Sequence, residues 1–389
     1  MNTISSLSPL SHLVNLEQLI LYGTQQSDLT PISELTRLKE LDIQYCQVSL
    51  LSPLAKLVNL NMLIAFYNQI TDIAVLSNLV NLKVLGLTSN QISNIECIAS
   101  LSQLTSLQLG NNQISDISPL SNLNKLTYLV VDFNVVSKLC AFENMPHLDT
   151  VMLNNNQIAD ITVLSGVSSL IYLDISNNKI TNISPVRPLK NLCTLMINGN
   201  VLTDLVPLKS LEKLSILFAS SNQIADSLPI GIMQLKTLYL DSCGIEELCI
   251  SSNMHTLTTF SLCSNQINDI SGVSALIHLT ELYLEHNCIC IIEPLESLVG
   301  LQILKLGFNQ IQDIKVLSSL SYLTELNLST NNINDVIPLL ELCRLTDLDL
   351  TCNPIVNMDL LKASPNYSDI TTINVDEEFE EQISNSDHP

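Results

Sequence analysis

The chain of 389 residues has no tryptophan, and its aromatic content is nine tyrosines and seven phenylalanines. Large rings usually dominate core energetics; here leucine and isoleucine must fill that role. Basic residues are scarce too: sixteen lysines and arginines against 38 acids give a formal net charge of −22. Without a basic patch to meet phosphates, nucleic acid is excluded as a partner. No stretch reaches the ~18 apolar residues of a membrane helix, so no membrane association is expected. The eleven cysteines are odd in number and contain no CxxC pair, so zinc-ligand spacing is missing and the thiols read as free in a reducing compartment. No GxGxxG, P-loop, HExxH or GxSxG motif occurs. The histidines lack matched carboxylates or cysteines in the repeat register, and His147 and His278 fall in one outer-face column. No metal, cofactor or catalytic group is therefore expected, and the chain does not read as an enzyme. The start, MNTISSLSPLSHL, lacks a basic n-region and a long apolar run, so the expected location is cytoplasmic, with the nucleus open as well.

What is present is a repeat. In Leu104 to Leu126 (LTSLQLGNNQISDISPLSNLNKL), the fixed positions are Leu107, Leu109, Asn112, Ile114, Ile117, Leu120, Leu123 and Leu126. The asparagine recurs at steps of 22 residues from Asn68 to Asn222, then after one step of 21 at Cys243, then again by 22 from Asn265 to Asn353. A period this regular means a solenoid, in which single coils cannot bury their apolar faces but stacked coils can. Leu107 and Leu109 alternate with polar neighbours and predict a short strand with one buried face. The amide of Asn112 can satisfy backbone groups in the turn leaving that strand. Ser118-Pro119 predicts an N-cap followed by proline at the first helical position, and Leu120, Leu123 and Leu126 a short helical or 3₁₀ segment. Asp116 belongs to its own column, with Asp28, Asp72, Asp160, Asp204, Asp226, Asp269, Asp313 and Asp335, where an acid suits the turn and the helix dipole.

These residues, NQISDISPLSNL above all, resemble the leucine-rich repeat in its 22-residue subclass, shared by internalin-type proteins and by the repeat domain of the nuclear regulatory subunit of protein phosphatase 1. The resemblance covers residues 2 to 376. It implies an α/β solenoid, a horseshoe with a parallel sheet on the concave face and short helical or 3₁₀ segments on the convex face.

Four segments are expected: an incomplete first coil without an N-terminal cap at 1–16, a solenoid of sixteen strands at 17–362, a C-terminal capping segment at 363–375 and an acidic disordered tail at 376–389. The first coil puts Asn2 at the ladder position, and the first strand, around Leu19 and Leu21, becomes an exposed edge through which copies of the chain could self-associate. Residues 226–257, which carry the one-residue deletion, are the expected weak joint. At the far end, Ile370 lies 22 residues beyond Leu348 and predicts one more strand near Asp369 to Asn374, where Tyr367 and Ile373 could cover the last edge.

The side chain between the two buried leucines of each strand points to the concave face, where the repeat needs nothing apolar. Yet strands 6 to 11 place Val130, Met152, Met196, Phe218 and Tyr239 there, with Tyr128 and Tyr172 beside them at the position just before the first leucine, and Tyr283 follows. Aromatic and methionine side chains on an exposed patch mark protein-binding surfaces. Further on, the same face turns acidic, with Glu281, Glu285, Glu325, Asp347 and Asp349. The expected function is a non-enzymatic protein-binding scaffold using its concave face. The resemblance also allows a regulatory subunit of a protein phosphatase or an internalin-like adhesin.

Overall fold

The computed structural model describes residues 4, 6–139, 142, 144–224, 232, 234–248, 250 and 254–375. The expectations for Asn2, Asp226, Cys140, Cys249 and the acidic tail lie outside these residues. The chain divides into two compact units, Met1–Asn200 and Val201–Pro389. The first holds β1 (Gln18–Ile20), β2 (Glu40–Asp42), β3 (Met62–Ile64), β4 (Val84–Gly86), β5 (Ser106–Gln108), β6 (Tyr128–Val130), β7 (Thr150–Met152), β8 (Tyr172–Asp174) and β9 (Thr194–Met196). The second holds β10 (Ile216–Phe218), β11 (Thr237–Tyr239), β12 (Thr259–Ser261), β13 (Glu281–Tyr283), β14 (Ile303–Lys305), β15 (Glu325–Asn327), β16 (Asp347–Asp349) and β17 (Thr372–Asn374). Within each unit every strand pairs in parallel with the next, leucine opposite leucine, as in Leu107↔Leu129 and Leu304↔Leu326. Parallel neighbours need a crossover connection, and here it is the rest of the coil.

The buried columns are those the repeat assigned. Leu107, Leu109, Ile114, Ile117, Leu120, Leu123 and Leu126 are all buried, and their equivalents line both units. The outer segments are 3₁₀ turns such as Ser118–Asn122, closed by Leu120 N–H donating to Ile117 O at 3.1 Å and Leu123 N–H to Leu120 O at 3.0 Å. Their start differs from expectation. Ser118 is the first residue of the turn, not its cap, and Ile117 at the cap position offers no side-chain bond. The cap is Asp116, whose carboxylate accepts Ser118 N–H at 2.8 Å. Asp28, Asp72, Asp160, Asp204, Asp269, Asp313 and Asp335 accept the amide two residues on in the same way. Asn94 and Asn182 substitute in two coils. The hydroxyls of Thr30 and Thr162 first, and then the amides, hold the carboxyls of Asp28 and Asp160 below the usual range, and the amides do so first at Asp116, Asp313 and Asp335.

The asparagine column ties each coil to both neighbours. Asn112 shares its amide N–H groups among Leu87 O at 3.1 Å, Leu109 O at 3.0 Å and Gly110 O at 3.1 Å, and its Oδ1 accepts Ile92 N–H at 3.0 Å. Cysteine keeps only the donor half of this role: the Cys46 thiol donates to Leu21 O at 3.0 Å, and that of Cys243 to Ala219 O at 3.4 Å. The residue before each ladder position has positive φ, from Tyr45 (54°) and Tyr67 (53°) through Phe133 (49°) to Phe308 (57°). The turn out of the strand requires it, even though bulky residues seldom adopt it.

At the start of the first unit, Leu7 is buried, Leu10 and Leu16 are half-buried and Leu13 is exposed. Among the described residues β1 pairs with β2 alone. In the second unit the deletion leaves the sheet unbroken, with Leu217↔Leu238 and Leu238↔Phe260 in register. The last strand departs from the 22-residue step: Leu348 pairs with Ile373 rather than Ile370. A short helix, α1 (Met358–Lys362), and a 3₁₀ turn at Pro365–Asp369 lengthen that coil. Tyr367 and Ile373 are half-buried there.

Candidate binding surface

The strand positions facing away from the core form the outer surface of each sheet. In the first unit Tyr128, Met152, Tyr172 and Met196 lie on it, each half-buried. Tyr172 donates its hydroxyl to Met196 Sδ at 3.2 Å, so the two side chains are already engaged across β8 and β9. Val130 is a correction to the sequence reading. It keeps only 8 % of its surface, because it lies in register between Gln108 and Met152, whose longer side chains flank its short one. Burial raises the carboxyl pKa of Asp132 and of Asp174 on this face. The Asp132 carboxylate occupies the space a β-carbon on Gly110 would need.

In the second unit the rings stack. Phe218 and Tyr239, in register on β10 and β11, have centroids 4.7 Å apart with planes 20° from parallel. Tyr239 and Tyr283 stack at 6.4 Å although β12 lies between them. The intervening residue is Ser261, small enough to be buried at that position. Carboxylates surround the stack. Tyr283 donates its hydroxyl to Glu281 Oε2 at 3.3 Å, and Ser261 donates to Asp241 Oδ1 at 2.5 Å. Glu285 accepts from Asn327 Nδ2 at 3.3 Å and from the Cys263 thiol at 3.4 Å. Burial first, and then the charge of Glu281, push the phenols of Tyr239 and Tyr283 above their ordinary range. Lys305 is ion-paired with Glu325.

One set of surface residues escaped the sequence reading. Tyr45 and Tyr67 stack at 4.4 Å with planes 9° apart, and Tyr22 meets Tyr45 edge-on at 5.5 Å. They lie just past β1 to β3, outside the strand columns; the signal was the recurrence of tyrosine at steps of 22 and 23 residues. The His286 and Phe308 rings stack similarly in the second unit, at 4.1 Å. A trough bordered by Glu17, Arg37, Lys39 and Lys83 lies away from both sets of rings. Among the described residues no cluster of His, Cys, Asp and Glu could hold a metal ion, and no helix is long and apolar enough to cross a membrane. Burial pushes the Cys97 and Cys243 thiols up to about 11 and that of Cys263 to about 12, so these three are poor nucleophiles.

The family profile described as leucine-rich repeats in two copies matches residues 58–100, 102–144, 146–188 and 255–297, and a single-repeat profile matches 319–337. The chain is similar to an internalin of Listeria monocytogenes, at 30 % identity over 88 % of each chain with a TM-score of 0.60. It is also similar to a leucine-rich repeat protein of Leptospira interrogans, at 25 % identity over 97 % of this chain and 100 % of that one, TM-score 0.85. In fold alone it resembles the Arabidopsis receptor kinase HAESA, solved in complex with the peptide hormone IDA and a co-receptor, at 19 % identity over 97 % and 73 % of the two chains, TM-score 0.66. A search of curated proteins finds no match.

Proposed function

The chain belongs to the leucine-rich repeat family, and from that premise we propose that it is a non-enzymatic scaffold that binds protein on the open faces of its sheets. The observation that carries the reading is the stack of Phe218, Tyr239 and Tyr283. The repeat buries Leu217 and Leu238 but asks nothing of the residues facing outward. Three rings in a row there, half open to solvent, supply the large rigid contact area on which interface energy concentrates. Tyr128, Met152, Tyr172 and Met196 give the first unit a comparable, softer surface. The odd number of cysteines and the missing CxxC pair support a reducing compartment, the cytoplasm or the nucleus.

The test pairs Phe218→Ser with Tyr239→Ser and compares partner capture against the parent and against Lys125→Ser, an exposed change on the outer side. The double variant should lose its main partner, a weakening of about 2–4 kcal/mol by hot-spot truncation, while Lys125→Ser keeps it. A folded double variant that recovers every partner would refute the sheet-face reading. Recovery of a phosphatase catalytic subunit would specify a regulatory role.

A further inference from the structure

We infer that the sheet face of the second unit binds an extended, arginine-bearing segment of a protein partner. The inference rests on the protein-binding reading above and adds the chemistry of the partner. Three features of the face support it, beginning with charge. On the outward positions of β10 to β16 and the residues just past those strands, six carboxylates (Asp241, Glu281, Glu285, Glu325, Asp347 and Asp349) face a single cation, Lys305. That lysine is already consumed: its side chain is only 17 % exposed and is paired with Glu325. The field therefore accepts a cation, and holds one of its own.

The second feature is the position of the rings. Phe218, Tyr239 and Tyr283 form a stacked row bordered by Asp241, Glu281 and Glu285, and a row stacked face to face leaves a free ring face at its end, on Tyr283. A guanidinium can lie flat against a ring face and direct its N–H groups sideways to a carboxylate, a combination an ammonium matches less well. The chain makes the stacking contact elsewhere, where the Arg344 guanidinium lies 4.5 Å from the Tyr322 ring centroid. Burial first, and the charge of Glu281 second, raises the ionisation of Tyr239 and Tyr283.

The third feature is the spacing. Strands lie about 4.8 Å apart, so Tyr283 on β13 and Asp347 on β16 are separated by roughly 14 Å across the sheet. An extended chain covers that in about four residues at ~3.3 Å each. A segment crossing the strands can thus rest one arginine on the rings and bring a second to Asp347 and Asp349. An acidic, apolar or neutral segment would leave the carboxylates desolvated and unpaired, which costs affinity.

The probe is a fluorescent nona-arginine peptide, measured by anisotropy against the full-length protein, with nona-lysine and nona-glutamate as comparisons. Nona-arginine should bind, nona-lysine more weakly, nona-glutamate not at all, and added salt should weaken the complex. Glu281→Gln with Glu285→Gln should lower nona-arginine affinity about tenfold. Glu212→Gln with Glu296→Gln removes the same charge from exposed positions outside the sheet face and should change it little. Equal weakening by both pairs would mean that net charge alone attracts the peptide, and the inference would fall; so would equal binding of arginine and lysine peptides. If captured partners depend on Phe218 and Tyr239 but ignore both the Glu281/Glu285 pair and salt, the basic-partner inference fails while the sheet-face reading survives. Partners indifferent to all four residues would remove both.

Discussion

Asn156→Ala isolates what the asparagine column contributes. Asn156 is buried. Its amide group donates to Val131 O at 2.9 Å, Leu153 O at 3.1 Å and Asn154 O at 3.4 Å, and its Oδ1 accepts Val136 N–H at 2.9 Å. The four contacts are not equal losses. Val131 O keeps Asn134 Nδ2, Leu153 O keeps Asn178 Nδ2, and Asn154 O keeps Phe133 N–H. Among the described residues Val136 N–H has only the Asn156 oxygen, and Val136 is fully buried. The cost is therefore that of one orphaned buried donor, about 1–3 kcal/mol, rather than four bonds added together. Because a stack of repeats can open locally, the assay is amide hydrogen exchange on the parent and variant, with a urea melt beside it. Exchange should quicken about 5- to 150-fold at the coils around Val136, since 1.4 kcal/mol is a factor of ten, and stay unchanged near Asn331. Unchanged protection at Val136 would refute the structural role assigned to the column. Uniform loss across the chain would refute its local character.

Several other outcomes can be checked directly. The carboxyls that cap the 3₁₀ turns, including Asp116 and Asp160, ionise below their ordinary value. Their stabilisation is thus complete above the unfolded carboxyl range and lost as pH falls through the folded one. Melting temperature should drop on acidification below about pH 4, and Asp116→Asn, which copies Asn94 and Asn182, should preserve the fold at neutral pH while making this coil less acid-sensitive; a collapse at neutral pH would contradict the capping account. Iodoacetamide at mildly alkaline pH should label exposed Cys288, Cys290 and Cys343 before Cys97, Cys243 and Cys263, and the reverse order in a mass-spectrometric time course would overturn the burial argument. Phe218→Ser with Tyr239→Ser should cost about 0.5–1.5 kcal/mol of stability from the lost ring pair, far less than its effect on binding; an early melt of larger size would mean the rings belong to the core. Finally, Ile20 is 62 % exposed on β1, so light scattering should detect self-association at high protein concentration that Ile20→Lys suppresses; a monomer at all concentrations would dismiss that edge as a contact.

The repeat made the fold legible because each column answers a single physical demand. Leu107 and Leu109 must be buried, and Asn112 must satisfy a turn, so spacing alone located strand, turn and 3₁₀ segment. It failed where a column carries several residue types. The positive-φ position holds Tyr45, Tyr67, Phe133 and Phe308 rather than glycine, and so left no trace. Ser118-Pro119 imitated a cap that Asp116 supplies. The last coil slipped from Ile370 to Ile373 because α1 has no counterpart among the described residues of the other coils. On the sheet face, alternation located the outward side chains but not their packing. That Val130 sits covered between longer neighbours, and that Tyr239 and Tyr283 reach each other over Ser261, depends on side-chain length across strands. The tyrosine stack beside β1 to β3 went unread because it lies outside the strand columns.

The asparagine ladder also dictates how the protein would give way under load. Each ladder residue grips the strand one coil back, as Asn134 grips Leu109 O, and the turn of that coil, as it accepts Ile114 N–H. Within a unit, tension applied to the chain ends would act on one coil at a time, since the ladder bonds of each coil reach only its neighbours. A coil of 22 residues pays out roughly 75 Å of chain at ~3.4 Å per residue and surrenders only the ~4.8 Å it occupied in the stack. Pulling at constant speed would then give a staircase with treads near 70 Å, and the low-force steps would fall at Cys46 and Cys243, where the thiol grips with one hand and the amide with two.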